Sequence, residues 1–405
     1  MAYNVFIAPR EIYYGAGALK AVANVPGKRV LCVTDSVVKA IGLADRVVDI
    51  LKAKGADTAI YDQVEQDPSR ETVGKIAQLA NEFQPDLIIG LGGGSSIDAG
   101  KAAWVLYENP EFMSLSVMQV VPKIAECVLR QKARYVAIPT TSGTGSEVTK
   151  AAIVTDNSIT PPYKGAWNAP QIVPDVAICD PELTVSMPPQ VTANTGLDAL
   201  SHATECFVLI GPSDLVDSLA LSATRSIFTW LPKAVADGKD MAARDKMHMA
   251  ALQAGMAFAN GTLGFVHSMA HIMGAEFHIP HGRAIAYSLI PAFEYFYTTA
   301  CRGRLVQLAE ELGAEGGTDK AKVSALFSKI NKLKKDVGIP VAIKDSDMPE
   351  AKYMASMDAM IKSYENRLAL VHPKMLALLV MPKTTDEVRE CFMRAWTGER
   401  AELAG

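Results

Sequence analysis

The chain has 405 residues, 49% of them apolar, which is too long for one ordinary core and sets two domains as the expectation. The formal net charge is −4, with Lys and Arg scattered along the chain, which excludes the basic stripe that a nucleic-acid partner needs. No run approaches the roughly 18 apolar residues of a membrane span, and the opening MAYNVFIAPREIYYGAG lacks a basic region followed by an apolar one. A cytoplasmic protein with no membrane partner is therefore expected. Cys32, Cys127, Cys179, Cys206, Cys301 and Cys391 lie far apart with no CxxC pair, so they read as reduced, buried residues and not as metal ligands.

In chain order, Lys28 to Thr34 reads as a strand, Val37 to Lys54 as a helix, Thr58 to Tyr61 as a strand and Arg70 to Phe83 as a helix. Asp86 to Leu91 follows as a fully buried strand and Ser96 to Tyr107 as a helix, so a parallel sheet wrapped by crossover helices is predicted. Between the last two elements lies Gly92-Gly93-Gly94-Ser95-Ser96-Ile97-Asp98. Glycines at a strand-to-helix turn let a ligand approach the backbone, and the free N–H groups at the helix start favour a phosphate. The competing reading is a tight turn that needs glycine for its geometry alone.

The strand Tyr135 to Ile138 runs into Pro139-Thr140-Thr141-Ser142-Gly143-Thr144-Gly145-Ser146-Glu147, a loop rich in donors suited to a ribose or phosphate. Asp35, at the end of the first strand, suits ribose hydroxyls and repels a 2′-phosphate, which predicts NAD(H) over NADP(H); an Asp in that place also serves as an ordinary helix cap. From about Met187 the β-branched runs vanish and helical spacing takes over through Leu197 to Leu209, Leu215 to Phe228 and Met247 to Phe258. With Pro181, Pro188 and Pro189 at the change, the expected division is an α/β dinucleotide-binding domain over 1–187 and an all-α metal-binding, catalytic domain over 188–405.

Four of the seven histidines crowd into Phe265 to Gly282, where His267 and His271 stand four apart on one helix face. Asp198 and His202 repeat that spacing upstream, and His281 closes the segment. Buried Asp and His are costly without partners, and a shared cation would partner all five. The spacing does not separate ligands from neighbours within that set. Ser268 occupies the position where HExxH needs Glu, which removes the zinc-protease reading. His248, His278 and His372 read as ordinary structural histidines. One carboxylate with imidazoles suits Fe(II), Zn(II), Mn(II), Co(II) or Ni(II), and an open position would take a substrate oxygen.

Five segments carry a resemblance to the iron-containing (group III) alcohol dehydrogenases: GGGSSID (92–98), PTTSGTGSEVT (139–149), PDVAICDPEL (174–183), GLDALSHATE (196–205) and HSMAHIMGAEFHIPHG (267–282). The resemblance implies a dehydroquinate synthase-like architecture with the active site in the cleft between the two domains. It implies a metal set of Asp198, His202, His267 and His281, with Fe(II) favoured and Zn(II) or Mn(II) compatible, and it sets His271 aside as a histidine near the nicotinamide. Cofactor contacts carry over to Asp35, Asp67, Gly93, Gly94, Ser95, Asp98, Thr140, Thr141, Thr144, Lys164 and Leu183. The implied activity is NAD(H)-linked hydride transfer between a small primary alcohol and its aldehyde.

Positions lining the substrate pocket in relatives fall on Ala151, Phe258 and Leu263. With the small Ala151 beside Lys150, room for a somewhat longer or anionic aldehyde is expected, so that the substrate is a short aldehyde that is anionic or hydroxylated. The alternatives are a glycerol-type dehydrogenase of the same fold and a metal- or dinucleotide-binding protein without turnover. Val5 to Ile7 with Glu11 to Tyr14 reads as a pairing edge for a homodimer or larger homo-oligomer.

Overall fold

The computed structural model describes residues 5–159, 162–209, 213–370, 380–400 and 402–403. It separates into two compact units, Met1–Met187 with Arg244–Asn260, and Pro188–Ala243 with Gly261–Gly405. The first is the α/β unit and the second is helical, the class of fold read from the sequence.

The first unit runs β1 (Glu11–Tyr14), β2 (Arg29–Val33), α1 (Ser36–Ala40), α2 (Leu43–Ala53), β3 (Asp57–Tyr61), α3 (Arg70–Phe83), β4 (Leu87–Gly92), α4 (Gly94–Glu108), α5 (Val117–Val120), β5 (Arg134–Pro139), β6 (Ala151–Asp156), β7 (Tyr163–Asn168) and β8 (Val176–Cys179). Six strands form one sheet in the order β1-β8-β5-β4-β2-β3, all paired in parallel, while β6 and β7 form an antiparallel pair. Every residue of β4 is buried, as expected of a central parallel strand covered on both faces. Parallel pairing brings the carboxyl ends of β2, β4 and β5 to one edge, the edge where open α/β sheets bind ligands.

Two sequence expectations are revised here. The single helix read over Val37 to Lys54 is two, because Gly42 sits at φ +79° in the left-handed region and ends the first before the second begins. Glu11–Tyr14 is an edge strand paired with β8, but Val5 to Ile7 is not a strand: the Ile7 amide donates to Asn260 Oδ1 at 2.5 Å and its carbonyl accepts from Asn260 Nδ2 at 2.9 Å.

The second unit holds α6 (Pro189–Leu209), α7 (Asp214–Ala236), α9 (Phe265–Phe277), α10 (His281–Tyr297), α11 (Arg302–Glu311), α12 (Asp319–Asp336), α13 (Glu350–Ala355), α14 (Met357–Leu370) and α15 (Thr385–Thr397). The intervening α8 (Met241–Asn260) lies from Arg244 onward in the first unit. Helix α10 packs against both α6 and α9, and the three carry the histidine cluster. All six cysteines are buried, none in a disulfide. No described helix is long and apolar enough to cross a membrane.

Candidate active site

In the first unit, Gly93 occupies the N-cap of α4 and offers no side chain to its first amides, which leaves them for an external acceptor. The glycines also let two loops meet. A Cβ on Gly94 would lie 2.8 Å from the Thr144 side chain, and one on Gly93 would reach Thr141 at 3.6 Å. The Thr140 amide donates to the Gly92 carbonyl at 2.9 Å, which holds the loops side by side. The glycine turn and the threonine loop thus form one edge.

Asp35 caps α1: its Oδ1 accepts the Val37 and Val38 amides, each at 2.9 Å, and its Oδ2 accepts the Ser96 hydroxyl at 3.1 Å. Asp67 has φ +57°; its amide donates to Ser95 Oγ at 3.3 Å, and its carboxylate pairs with Lys164 at 2.5 Å. Asp98 is buried beneath this edge, accepting from the Ser146 hydroxyl and, at 3.0 Å, from the Ile153 amide. Burial raises its carboxyl above the ordinary value against the opposing pull of Lys101. Lys101, itself fully buried, donates to the carbonyls of Ser146, Thr149 and Ala151 at 2.6 to 2.9 Å. Asp98 and Lys101 therefore stiffen the loop from below. Leu183 is packed in the apolar cluster with Ile138, Val176 and Ile178. Lys150 is half-buried, and desolvation lowers its amine below the ordinary value.

In the second unit, α6 presents Asp198, His202 and Glu205 on successive turns, so all three face one way. Asp198 Oδ1 lies 3.6 Å from His202 Nε2, 3.8 Å from His267 Nε2 and 3.5 Å from His281 Nε2. Three imidazole nitrogens thus converge on one carboxylate oxygen from just beyond hydrogen-bond range. Ligand atoms held about 2.1 Å from a tetrahedral centre stand about 3.4 Å apart, close to these separations. Asp198 Oδ1 and His267 Nε2 are buried with no hydrogen-bond partner, a cost that a cation would remove. Burial pushes the Asp198 carboxyl up, but His202, His281 and His267 together hold it below the ordinary value. The ligand atoms of Asp198, His267 and His281 all lie within 4.8 Å of one another; His202 joins through Asp198 and stacks on His267 with ring centroids 4.9 Å apart.

His271 adjoins the cluster, stacked on His281 at 5.2 Å, without entering that group. His278 ends α9 in the left-handed region at φ +57°, exposed, and so turns the chain toward His281. His372 lies outside the described residues.

Two residues whose individual roles were not legible in the sequence complete the cluster. Glu205 is fully buried; its carboxylate lies 2.7 Å from His267 Nδ1 and accepts the Val266 amide at 2.8 Å. Gly282 sits where a Cβ would meet the Asn194 carbonyl oxygen at 2.1 Å, so α10 begins directly against α6. Both lie inside the family-like segments 196–205 and 267–282, but their roles depend on α6 meeting α9 and α10.

Residues 9–181 match the family model described as iron-containing alcohol dehydrogenase, and residues 192–380 that of the Fe-containing alcohol dehydrogenase family, C-terminal. The chain is 41% identical over 360 residues to the NADPH-dependent butanol dehydrogenase of Clostridium saccharobutylicum, covering 87% of this chain and 89% of that protein. It is 39% identical over 376 residues to the bifunctional aldehyde-alcohol dehydrogenase of Escherichia coli (strain K12), covering 86% of this chain but 42% of that longer relative. Among solved structures, the alcohol dehydrogenase from Oenococcus oeni superposes with a TM-score of 0.86 at 29% identity, covering 97% of this chain and 100% of that one. The chain belongs to the iron-containing alcohol dehydrogenase family and is an oxidoreductase of alcohols and aldehydes.

Proposed function

We propose that this protein interconverts a small primary alcohol and its aldehyde with NAD(H), acting as a reductase of a short aldehyde that is anionic or hydroxylated. The carrying observation is the convergence of His202, His267 and His281 on Asp198 Oδ1, with buried polar atoms left unpartnered at its centre. These four residues would hold one divalent ion, Fe(II) by family and Zn(II) or Mn(II) by ligand chemistry. When bound, such an ion polarises a carbonyl oxygen toward hydride addition. Glu205 would orient His267, and His271, stacked on His281, would hold or relay the proton that the product alcohol requires.

The dinucleotide reading rests on the edge where the glycine turn and the threonine loop meet. Gly93, Gly94 and Ser95 open α4 toward a pyrophosphate; Thr140, Thr141 and Thr144 supply hydroxyls; Asp35 and Asp67 with Lys164 border it, and Asp98 braces the loop, while Leu183, the further contact the resemblance implies, is packed in the apolar cluster with Ile138. Asp35 places negative charge at the carboxyl end of β2, which supports NAD(H) over NADP(H). The substrate preference rests on Lys150 and the small Ala151, with Phe258 and Leu263 as apolar lining. Edge strand β1 supports a homodimer, and the division proposed is a dinucleotide-binding domain over 1–187 and a metal-binding domain over 188–405, with Arg244–Asn260 of the latter grouped with the first unit.

The deciding experiment is anaerobic purification with metal analysis, followed by an aldehyde panel monitored by NADH consumption. One ion per chain and turnover of short aldehydes are expected. Metal and NADH binding without turnover across the panel would favour a binding protein, and a preference for glycerol-like polyols would favour a polyol dehydrogenase. Unchanged metal stoichiometry in His267→Ala would remove that residue from the ligand set. No preference for acidic over neutral aldehydes, with none lost in Lys150→Ala, would remove the substrate assignment.

A further inference from the structure

We propose that His248 is a positioning residue for dinucleotide binding, acting through Ser142 to hold the 139–147 loop in its binding shape. This rests on the reading that the loop and the glycine turn take NAD(H). His248 lies on α8, 3% exposed, with Nδ1 3.0 Å from Ser142 Oγ. Its Nε2 is buried with no hydrogen-bond partner. An orphaned N–H is the rarer defect in a protein interior, so the proton belongs on Nδ1, donating to Ser142. Burial pushes the imidazole down to about 4, which keeps it neutral through the physiological range.

A second contact, independent of the hydrogen bond, presses the same loop onto the same helix. A Cβ on Gly145 would meet the Gly255 Cα at 2.5 Å, and one on Gly255 would meet the Gly145 Cα at 2.7 Å. From the other side, Lys101 and Asp98 grip Ser146. Thr141 and Thr144, whose side chains lie against Gly93 and Gly94, and Thr140, whose amide bonds the Gly92 carbonyl, are thus carried on a segment fixed at Ser142, Gly145 and Ser146. Ordering that segment before the ligand arrives removes a binding cost that a loose loop would carry.

The test is fluorescence titration of the full-length protein with NADH, comparing His248→Leu, His248→Asn, His248→Gln, Ser142→Ala and the His248→Leu/Ser142→Ala double variant. Losing one buried hydrogen bond should weaken NADH binding about tenfold in His248→Leu and in Ser142→Ala, with the double variant no worse than either single. Asn places its amide where Nδ1 stands and should restore most of the affinity; Gln reaches the Nε2 position and should not. The KM for NADH should rise while kcat at saturating NADH and the KM for aldehyde hold. Hydrogen exchange of amides 140–146 should quicken in His248→Leu without any ligand. Affinity within twofold of wild type in His248→Leu, additive losses in the double variant, or equal behaviour of Asn and Gln would each overturn the proposal. Wild-type protein that bound neither NADH nor NADPH would instead overturn the dinucleotide reading, and this proposal with it.

Discussion

Glu205 and His267 lie 2.7 Å apart, carboxylate to Nδ1, and the same carboxylate takes the Val266 amide at 2.8 Å. One buried side chain on α6 therefore caps the start of α9, whose N-cap Gly264 offers none, and holds the His267 proton on Nδ1 so that Nε2 presents a lone pair to the cluster. Glu205→Gln keeps an oxygen for Val266 but turns an N–H toward Nδ1. We expect metal affinity to fall about 10- to 100-fold with the helical fold retained. Competition with a chelator, read by metal analysis, checks this; wild-type affinity in the variant would leave Glu205 with a capping role only.

Gly282 is required by space alone. Its neighbour His281 reaches Asp198 because α10 can start with backbone against the Asn194 carbonyl, where a Cβ would intrude to 2.1 Å. Gly282→Ala should shift the start of α10 off α6, cost about 1–3 kcal/mol of stability and reduce bound metal below one ion per chain. Metal content and thermal unfolding of the same preparation measure the two effects. Full metal content in a folded variant would show that His281 tolerates the shift.

The course from β4 through the glycine turn to α4 was legible in the sequence because a buried parallel strand, a phosphate-type turn and a helix start are all local signals. So were the pairs Asp198 with His202 and His267 with His271, which follow from helical spacing. What needed the structure is long-range. Nothing near Glu205 in sequence says that α9 begins against it, and its side chain could equally have been a solvated charge. The break at Gly42 was hidden by apolar periodicity that continues on both sides of it. The packing of α8 on the β5–β6 loop depends on Gly145 meeting Gly255 over more than a hundred residues, and His248, an ordinary helix histidine by pattern, gains its partner only there.

Asp35 both caps α1 and faces the glycine turn, so the test of cofactor choice must preserve the cap. Asn caps as well as Asp does and carries no charge. In Asp35→Asn the NADH/NADPH preference, measured as the ratio of kcat/KM values, should fall about tenfold or more while the melting temperature stays near wild type. An unaltered ratio would confine Asp35 to its capping role.

Lys334 is 1% exposed on α12, beside a cavity it shares with Tyr287, Asn331, Glu294, Glu399, Arg394 and Arg400. Glu294 is engaged by Arg394 at 3.2 Å, and the burial of Lys334 pushes its amine down to about 7. Below about pH 7 the folded and unfolded chains both carry this proton, and the folded state bears the full cost of a buried ammonium. Between that pH and the ordinary lysine value, the unfolded chain holds a proton that the folded chain has released, so the contribution of Lys334 to stability rises with pH. Lys334→Met removes the cost and keeps the apolar stem. The variant should therefore melt about 3 °C or more above wild type at pH 6, with a smaller gain at pH 9. Equal gains at the two pH values would mean that Lys334 keeps its charge in the fold, held by the polar groups of that cavity.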